Sequence, residues 1–230
     1  MNEASGWERR SWVESANDPA SAFPITNVPF GVYQHGRRAA RIGVAIGDSI
    51  LDVSGCLKDR LFRGAAAEAA AACRGDRLNE LMTLPAGHSA ALRSRLIEIL
   101  GEGSDDPRPL ARLHPMSECV MHLPAAIGDY TDFYSSIHHA ANVGALFRPD
   151  NPLLPNYKYI PIAYHGRASS IVPSGASIVR PQGQTRPDAP APPEFGPSRM
   201  LDYECELGFF VRLGNKLGEP VPIQEAESRL

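Results

Sequence analysis

"RIGVAIGDSILDV" spans Arg41–Val53, and its reading decides how the first half of the chain folds. Ile42, Val44 and Ile46 recur at every second position, which puts them on one face of an extended strand. Gly47-Asp48 interrupts the run, and a second apolar stretch follows. Two period-two segments joined by a Gly-Asp pair predict a tight β-hairpin. Beyond the hairpin the period changes. "FRGAAAEAAAACRG" (Phe62–Gly75) and "HSAALRSRLIEILG" (His88–Gly101) read as helices. In the second, Leu92, Leu96 and Leu100 recur at helical spacing, and Gly101 stands where a C-cap belongs. "GEGSDDPRP" (Gly101–Pro109) is a turn-rich break, and a domain boundary is expected after it, near residues 115–122.

The 230 residues are enough to bury a substantial core, as one large domain or two small ones. With 43% hydrophobic and 21% charged residues the composition is that of a globular protein. A net charge of -3 lacks the basic excess of a nucleic-acid surface, so no nucleic-acid partner is expected. No apolar run approaches the ~18 residues of a membrane helix, and "MNEASGWERR" has no apolar signal core, so no membrane association and a cytoplasmic location are expected. Cys56, Cys73, Cys119 and Cys205 are scattered, with no C-x-x-C pair. They read as reduced, mostly buried thiols rather than a zinc site.

The second half is different in character. "KYIPIAY" and "SSIVPSGASIVRP" are short strand-like runs, and six prolines from Pro181 to Pro197 mark a long loop within one domain. "LDYECELGFFVRLGN" (Leu201–Asn215) is the plainest strand by pattern. Leu201, Tyr203, Cys205, Leu207 and Phe209 share one face, and Asp202, Glu204 and Glu206 the other. That acidic row is either the solvated face of an edge strand or a site for a hard cation such as Ca²⁺ or Mg²⁺. "DYTDFYSSIHHAANVG" (Asp129–Gly144) gathers acids, tyrosines, serines and adjacent histidines. Ser135 or Ser136 is the expected N-cap of a helix that must end by Arg148, because Pro149 follows. His139 then lies in the first helical turn, where it is a candidate general base. His138, about 100° away around the helix, cannot share its face. Asp132 precedes the helix and can aim a carboxylate at a metal. "YHGRASS" (Tyr164–Ser170) adds Tyr164, His165 and Arg167 around Gly166, and Arg148 offers a forked donor for a carboxylate. Each motif alone also reads as an ordinary polar turn or helix start.

Taken together, "GDYTDFYSSIHHAANVGALFRPDNPLLPNY", "PIAYHGRASSIVPSG", "RPQGQ" and "LDYECELGFFV" closely resemble the fumarylacetoacetase family, as do "FPITNVPFGVY" and "RIGVAIGDSILDVS" nearer the N-terminus. The resemblance runs from about Ser11 onward. It implies a mainly β fold with helical additions (α+β): a small SH3-like barrel over residues 1–118, then the first part of a mixed β-roll over 119–230. It implies that Asp132, Glu204 and Glu206 match metal-binding acids on Ca²⁺ and/or Mg²⁺, that His139 matches the catalytic histidine, and that Tyr134, Arg148 and Tyr164 match substrate-binding positions. The implied reaction is hydrolysis of a carbon–carbon bond in a dicarboxylate β-diketone, giving fumarate and acetoacetate in tyrosine and phenylalanine breakdown, in an enzyme that is a homodimer at full length. Family members are nearly twice as long, and several of their site residues fall beyond Leu230. "PIQEAESRL" starts like a helix and stops without a capping signal. The chain therefore reads as a fragment with little activity alone. The alternatives are an inactive fragment that binds a metal or a partner chain, and a related β-diketone hydrolase with a different acyl group.

Overall fold

The hairpin forms as the pattern predicts. In the computed structural model, which describes residues 9–186 and 191–230, β1 (Phe30–His35), β2 (Arg41–Ile46) and β3 (Ser49–Asp52) are consecutive antiparallel strands. Ile46 pairs with Ser49 across Gly47-Asp48, and Gly47 sits at φ 56°, the left-handed backbone that a primed two-residue turn needs. β4 (Leu113–Pro115) and β5 (Cys119–His122) complete a five-stranded sheet in the order β4-β3-β2-β1-β5.

One face of this sheet is the core. Val32, Ile42, Val44, Ile46 and Leu51 are fully or almost fully buried there. Short α1 (Val53–Lys58) follows β3, its N-cap Asp52 accepting from the Gly55 amide. α2 (Gly64–Ala72) and α4 (Ala86–Leu100) pack against each other, with four-residue α3 (Asn79–Met82) between them in sequence. Leu92, Leu96 and Leu100, the predicted apolar stripe of α4, join the sheet residues and Ala66, Ala69 and Ala70 of α2 in one buried cluster. Gly101 ends α4 as expected, but with extended rather than left-handed backbone.

The opposite face is polar and curls inward. Tyr33, His35, Arg41, Gly43, Ile50, Asp52 and His114 lie on it by register. A Cβ on Gly43 would lie 2.6 Å from Ile50 Cγ2 and 2.8 Å from the Tyr33 ring, so only glycine lets these side chains fold over β2. The His35 and His114 rings stack at 4.4 Å, although their strands are three places apart in the sheet, about 14 Å in a flat one. The sheet is thus strongly curved. β4 and β5 form no ladder with each other, and among the described residues no closed barrel exists. Among the described residues helix outnumbers strand, so they form a mixture of helix and antiparallel sheet rather than a mainly β fold.

Two compact units are distinguished: residues up to Pro124 together with Pro173–Leu230, and Ala125–Val172. The second contains β6 (Thr131–Phe133), α5 (Ile137–Phe147) and β7 (Ala163–His165). After residue 172, β8 (Gln182–Thr185) and β9 (Glu194–Pro197) pair antiparallel within the proline-rich stretch, and α6 (Ile223–Ala226) starts after Pro222. The predicted strand at Leu201–Asn215 is not formed: residues 201–212 have no regular structure, and Tyr203, Leu207 and Phe209 are 87%, 88% and 68% exposed. Its alternating pattern is real, but a strand exists only against a partner, and no described strand pairs with it. "SSIVPSGASIVRP" likewise forms a 3₁₀ turn at Ala168–Ser170 and no strand.

Candidate active site

The candidate site is built within the Ala125–Val172 unit. β6 and β7 pair antiparallel, with Thr131 opposite His165, Asp132 opposite Tyr164 and Phe133 opposite Ala163. The strand pair is extended by the Tyr134 amide donating to Ile162 O and the Gly166 amide to Tyr130 O. Gly166 has φ 126°, a backbone that side chains rarely adopt and that lets the chain leave β7. Thr131 Oγ1 lies 2.9 Å from His165 Nδ1, and His165 Nε2 lies 3.4 Å from Asp129. Polar cross-strand pairs therefore line both faces of this ribbon.

Asp132 is half-buried and surrounded by phenols. The Tyr130 hydroxyl donates to its Oδ2 at 3.3 Å, and Tyr164 hydrogen-bonds to the same carboxylate. The hydrogen bond to Asp132 holds the Tyr164 phenol above its ordinary range, because losing the proton would set two anions side by side. The Tyr130 and Tyr164 rings tilt toward each other at 6.5 Å.

Tyr134 follows two residues later, on the same side of the extended chain as Asp132. Its ring meets His139 edge-on at 5.4 Å and Tyr157 edge-on at 6.1 Å. The local sequence makes that meeting possible. Ser136 is the N-cap of α5, its hydroxyl accepting from the His139 amide at 3.4 Å, so His139 is fixed in the first turn. Ala140 is buried one residue on, and the Tyr134 hydroxyl reaches its carbonyl at 3.4 Å. His138 is exposed, whereas His139 is half-buried. At the other end α5 stops at Phe147 before Arg148-Pro149, as expected. Gly144 is buried against the Pro152 backbone so closely that no Cβ fits, which folds the following loop back onto the helix. Arg148 is exposed and donates to Pro152 O at 3.2 Å.

Asp132 with Tyr164, and Tyr134 with His139, thus form two contacting pairs within one small unit. Glu204 and Glu206 lie in the irregular stretch 201–212, both exposed. Among the described residues no group of three His, Cys, Asp or Glu side chains is arranged to hold a metal ion. Two contributors escaped the sequence reading. Tyr130 sits two positions before Asp132, a spacing that could have revealed it. Tyr157 approaches from a distant turn and left no local signal.

The family model for the fumarylacetoacetase N-terminal domain matches residues 26–124. Curated fumarylacetoacetases match almost the whole chain. That of Caenorhabditis elegans is 47% identical over 220 residues, covering 91% of this chain and 52% of the relative. This chain is similar to fumarylacetoacetases along almost its whole length. The fumarylacetoacetases of Bos taurus and Homo sapiens are 45% and 44% identical, each across 96% of this chain and 54% of their own length. The chain therefore spans about half the length of the curated relatives it matches. No helix among the described residues is long and apolar enough to cross a membrane.

Proposed function

We propose that this chain carries the histidine-bearing half of a hydrolase that cleaves the carbon–carbon bond of 4-fumarylacetoacetate to fumarate and acetoacetate, a step of tyrosine breakdown. The observation that carries the reading is the edge-on contact of His139 with Tyr134, at 5.4 Å, beside the Asp132–Tyr164 pair. His139 takes a proton from water, and the water oxygen adds to the carbonyl. The carbon–carbon bond breaks with its electron pair leaving as an enolate, which is protonated to give the ketone. The Tyr134 and Tyr164 hydroxyls can donate to the carbonyl oxygens, and Arg148 can grip a substrate carboxylate with its fork. Aligned donors of this kind act mainly by being in place before charge develops.

Several finer features belong to the same reading. They are Ca²⁺ or Mg²⁺ bound by Asp132, Glu204 and Glu206, an SH3-like domain over residues 1–118 and a β-roll beginning at 119, a homodimer, and a cytoplasmic setting. Their support is the match of these residues to the family pattern. A bound divalent cation would polarise the diketone oxygens.

The test is a spectrophotometric assay of fumarylacetoacetate loss. It compares the 230-residue chain with the same chain extended by the C-terminal half of the Caenorhabditis elegans relative. The chain alone is expected to be nearly inactive and the extended one active. In the extended protein His139→Ala should lower kcat by about a hundredfold or more, the contribution of a general base. A loss under about tenfold, or 1.4 kcal/mol of barrier, would remove His139 from the chemistry.

A further inference from the structure

The inward face of the curled sheet holds an unusual concentration of titratable groups for the inside of a small fold. Tyr33 and His35 come from β1, Arg41 from β2, Asp52 from β3, His114 from β4 and Cys119 from β5, with Glu118 just before it. Arg38, in the turn between β1 and β2, acts on the same face. Their pairings leave His114 apart. The Asp52 carboxylate, almost fully buried, accepts from Arg41 Nη1 at 3.0 Å and from the Gly55 amide at 2.9 Å. The Glu118 carboxylate is 2.9 Å from His35 Nε2. The Tyr33 hydroxyl and His35 Nδ1 are buried with no hydrogen-bond partner among the described residues. The two edges of the curl, β4 and β5, are joined covalently through Met116–Glu118, and inside the curl His35 stacks on His114 at 4.4 Å with planes 23° apart, with the Tyr33 ring 5.8 Å from His114.

We infer that the His35–His114 stack is a pH-sensitive latch, closed while His114 is neutral and released when that ring takes a proton. A proton on His114 would place a cation against the face of a second imidazole, near the guanidiniums of Arg38 and Arg41. The carboxylates within reach, Asp52 and Glu118, already serve Arg41 and His35. Burial and then His35 hold the His114 value below that of an ordinary histidine, with Arg38 and Arg41 adding to this and only Asp52 opposing it. The folded state therefore binds this proton less tightly than the unfolded chain. The latch's contribution is complete above the ordinary value near ~6.5, and falls away as pH drops from there through the lowered folded value. β4 is an edge strand of three residues, paired only with β3 and followed by the hydrogen bond of the Met116 amide to Asp48 O, so an opened stack should show first in the exchange of the β3 and β4 amides. This device is independent of the catalytic reading, since it lies wholly in the five-stranded sheet.

The test is nuclear magnetic resonance on the full 230-residue chain, with labelled histidine and amide hydrogen exchange. In the unmodified protein His114 should titrate below ~6.5. Exchange at the β3 and β4 amides, measured relative to α4 and divided by the intrinsic effect of pH, should accelerate about tenfold or more between about pH 7.5 and about pH 5.5. His114→Phe keeps a ring to stack but cannot be protonated, so its relative exchange should be flat over that range. An His114 titration at or above the ordinary value overturns the latch, and so does unchanged relative exchange in the unmodified protein. Full retention of the pH response in the phenylalanine variant overturns it as well. If that variant does not fold, the two measurements on the unmodified chain decide.

Discussion

Residues 42–51 and residues 201–211 carry the same period-two signature and meet opposite fates. Val44, Ile46 and Leu51 are wholly buried, clamped between β1 and β4 on one side and the α2–α4 pair on the other. Leu207 and Phe209 alternate just as strictly and stand in solvent. Alternation is a statement about which side chains could share a face. It becomes a strand only when a neighbour supplies the ladder and a second layer covers the apolar side. The first stretch makes its own neighbour through a two-residue turn. The second has none among the described strands.

The contrast is sharpest at Leu51. Leu51→Ala removes a fully buried side chain facing Val44 and Leu113, and should cost about 2–5 kcal/mol in urea denaturation. A loss below ~1 kcal/mol would mean that the core is far looser than its burial indicates. Gly144→Ala comes next. Its new methyl group meets the Pro152 backbone, and overpacking of this kind costs about 1–3 kcal/mol. The change should appear as faster amide exchange in α5 and altered His139 ring signals, while the β1–β3 amides keep their protection. Equal loosening of both regions would break the division into two units. The smallest effect is expected from Leu207→Ser, within about 0.5 kcal/mol in the same denaturation experiment. A fall of more than ~1.5 kcal/mol would show that the 201–211 stretch is packed in solution and that the two regions are alike after all.

Legibility in the sequence followed the same divide. The β2–β3 hairpin, α2, α4 and α5 were readable because each is decided by residues within a dozen positions: a Gly-Asp turn, a leucine stripe, a serine cap and a proline stop. The curl of the sheet was not readable, because it depends on Gly43 giving way to Tyr33 and on β4 and β5 being the two edges of one sheet although only Met116–Glu118 separates them. In the candidate site, Asp132 and His139 could be picked out as a local motif, and Tyr134 through the family resemblance alone. Asp132 opposite Tyr164, and Tyr157 against Tyr134, required the fold. The acids Glu204 and Glu206 were read as members of a strand, and the structure gives them no strand to belong to.

Ser11 forms an antiparallel bridge with Gly101, its hydroxyl donates to Leu100 O at 2.6 Å, and the Trp12 indole donates to Ile99 O at 2.8 Å. The backbone thus returns, after some ninety residues, to the place where it started. Topologically the segment 11–101 is almost a ring whose seam is a few hydrogen bonds. Such a ring has no privileged beginning. The contacts among β1–β3, α2 and α4 would survive a cut at the exposed turn around Gly75 with the seam closed, whereas β4 and β5, which flank β3 and β1, reach that ring from outside it.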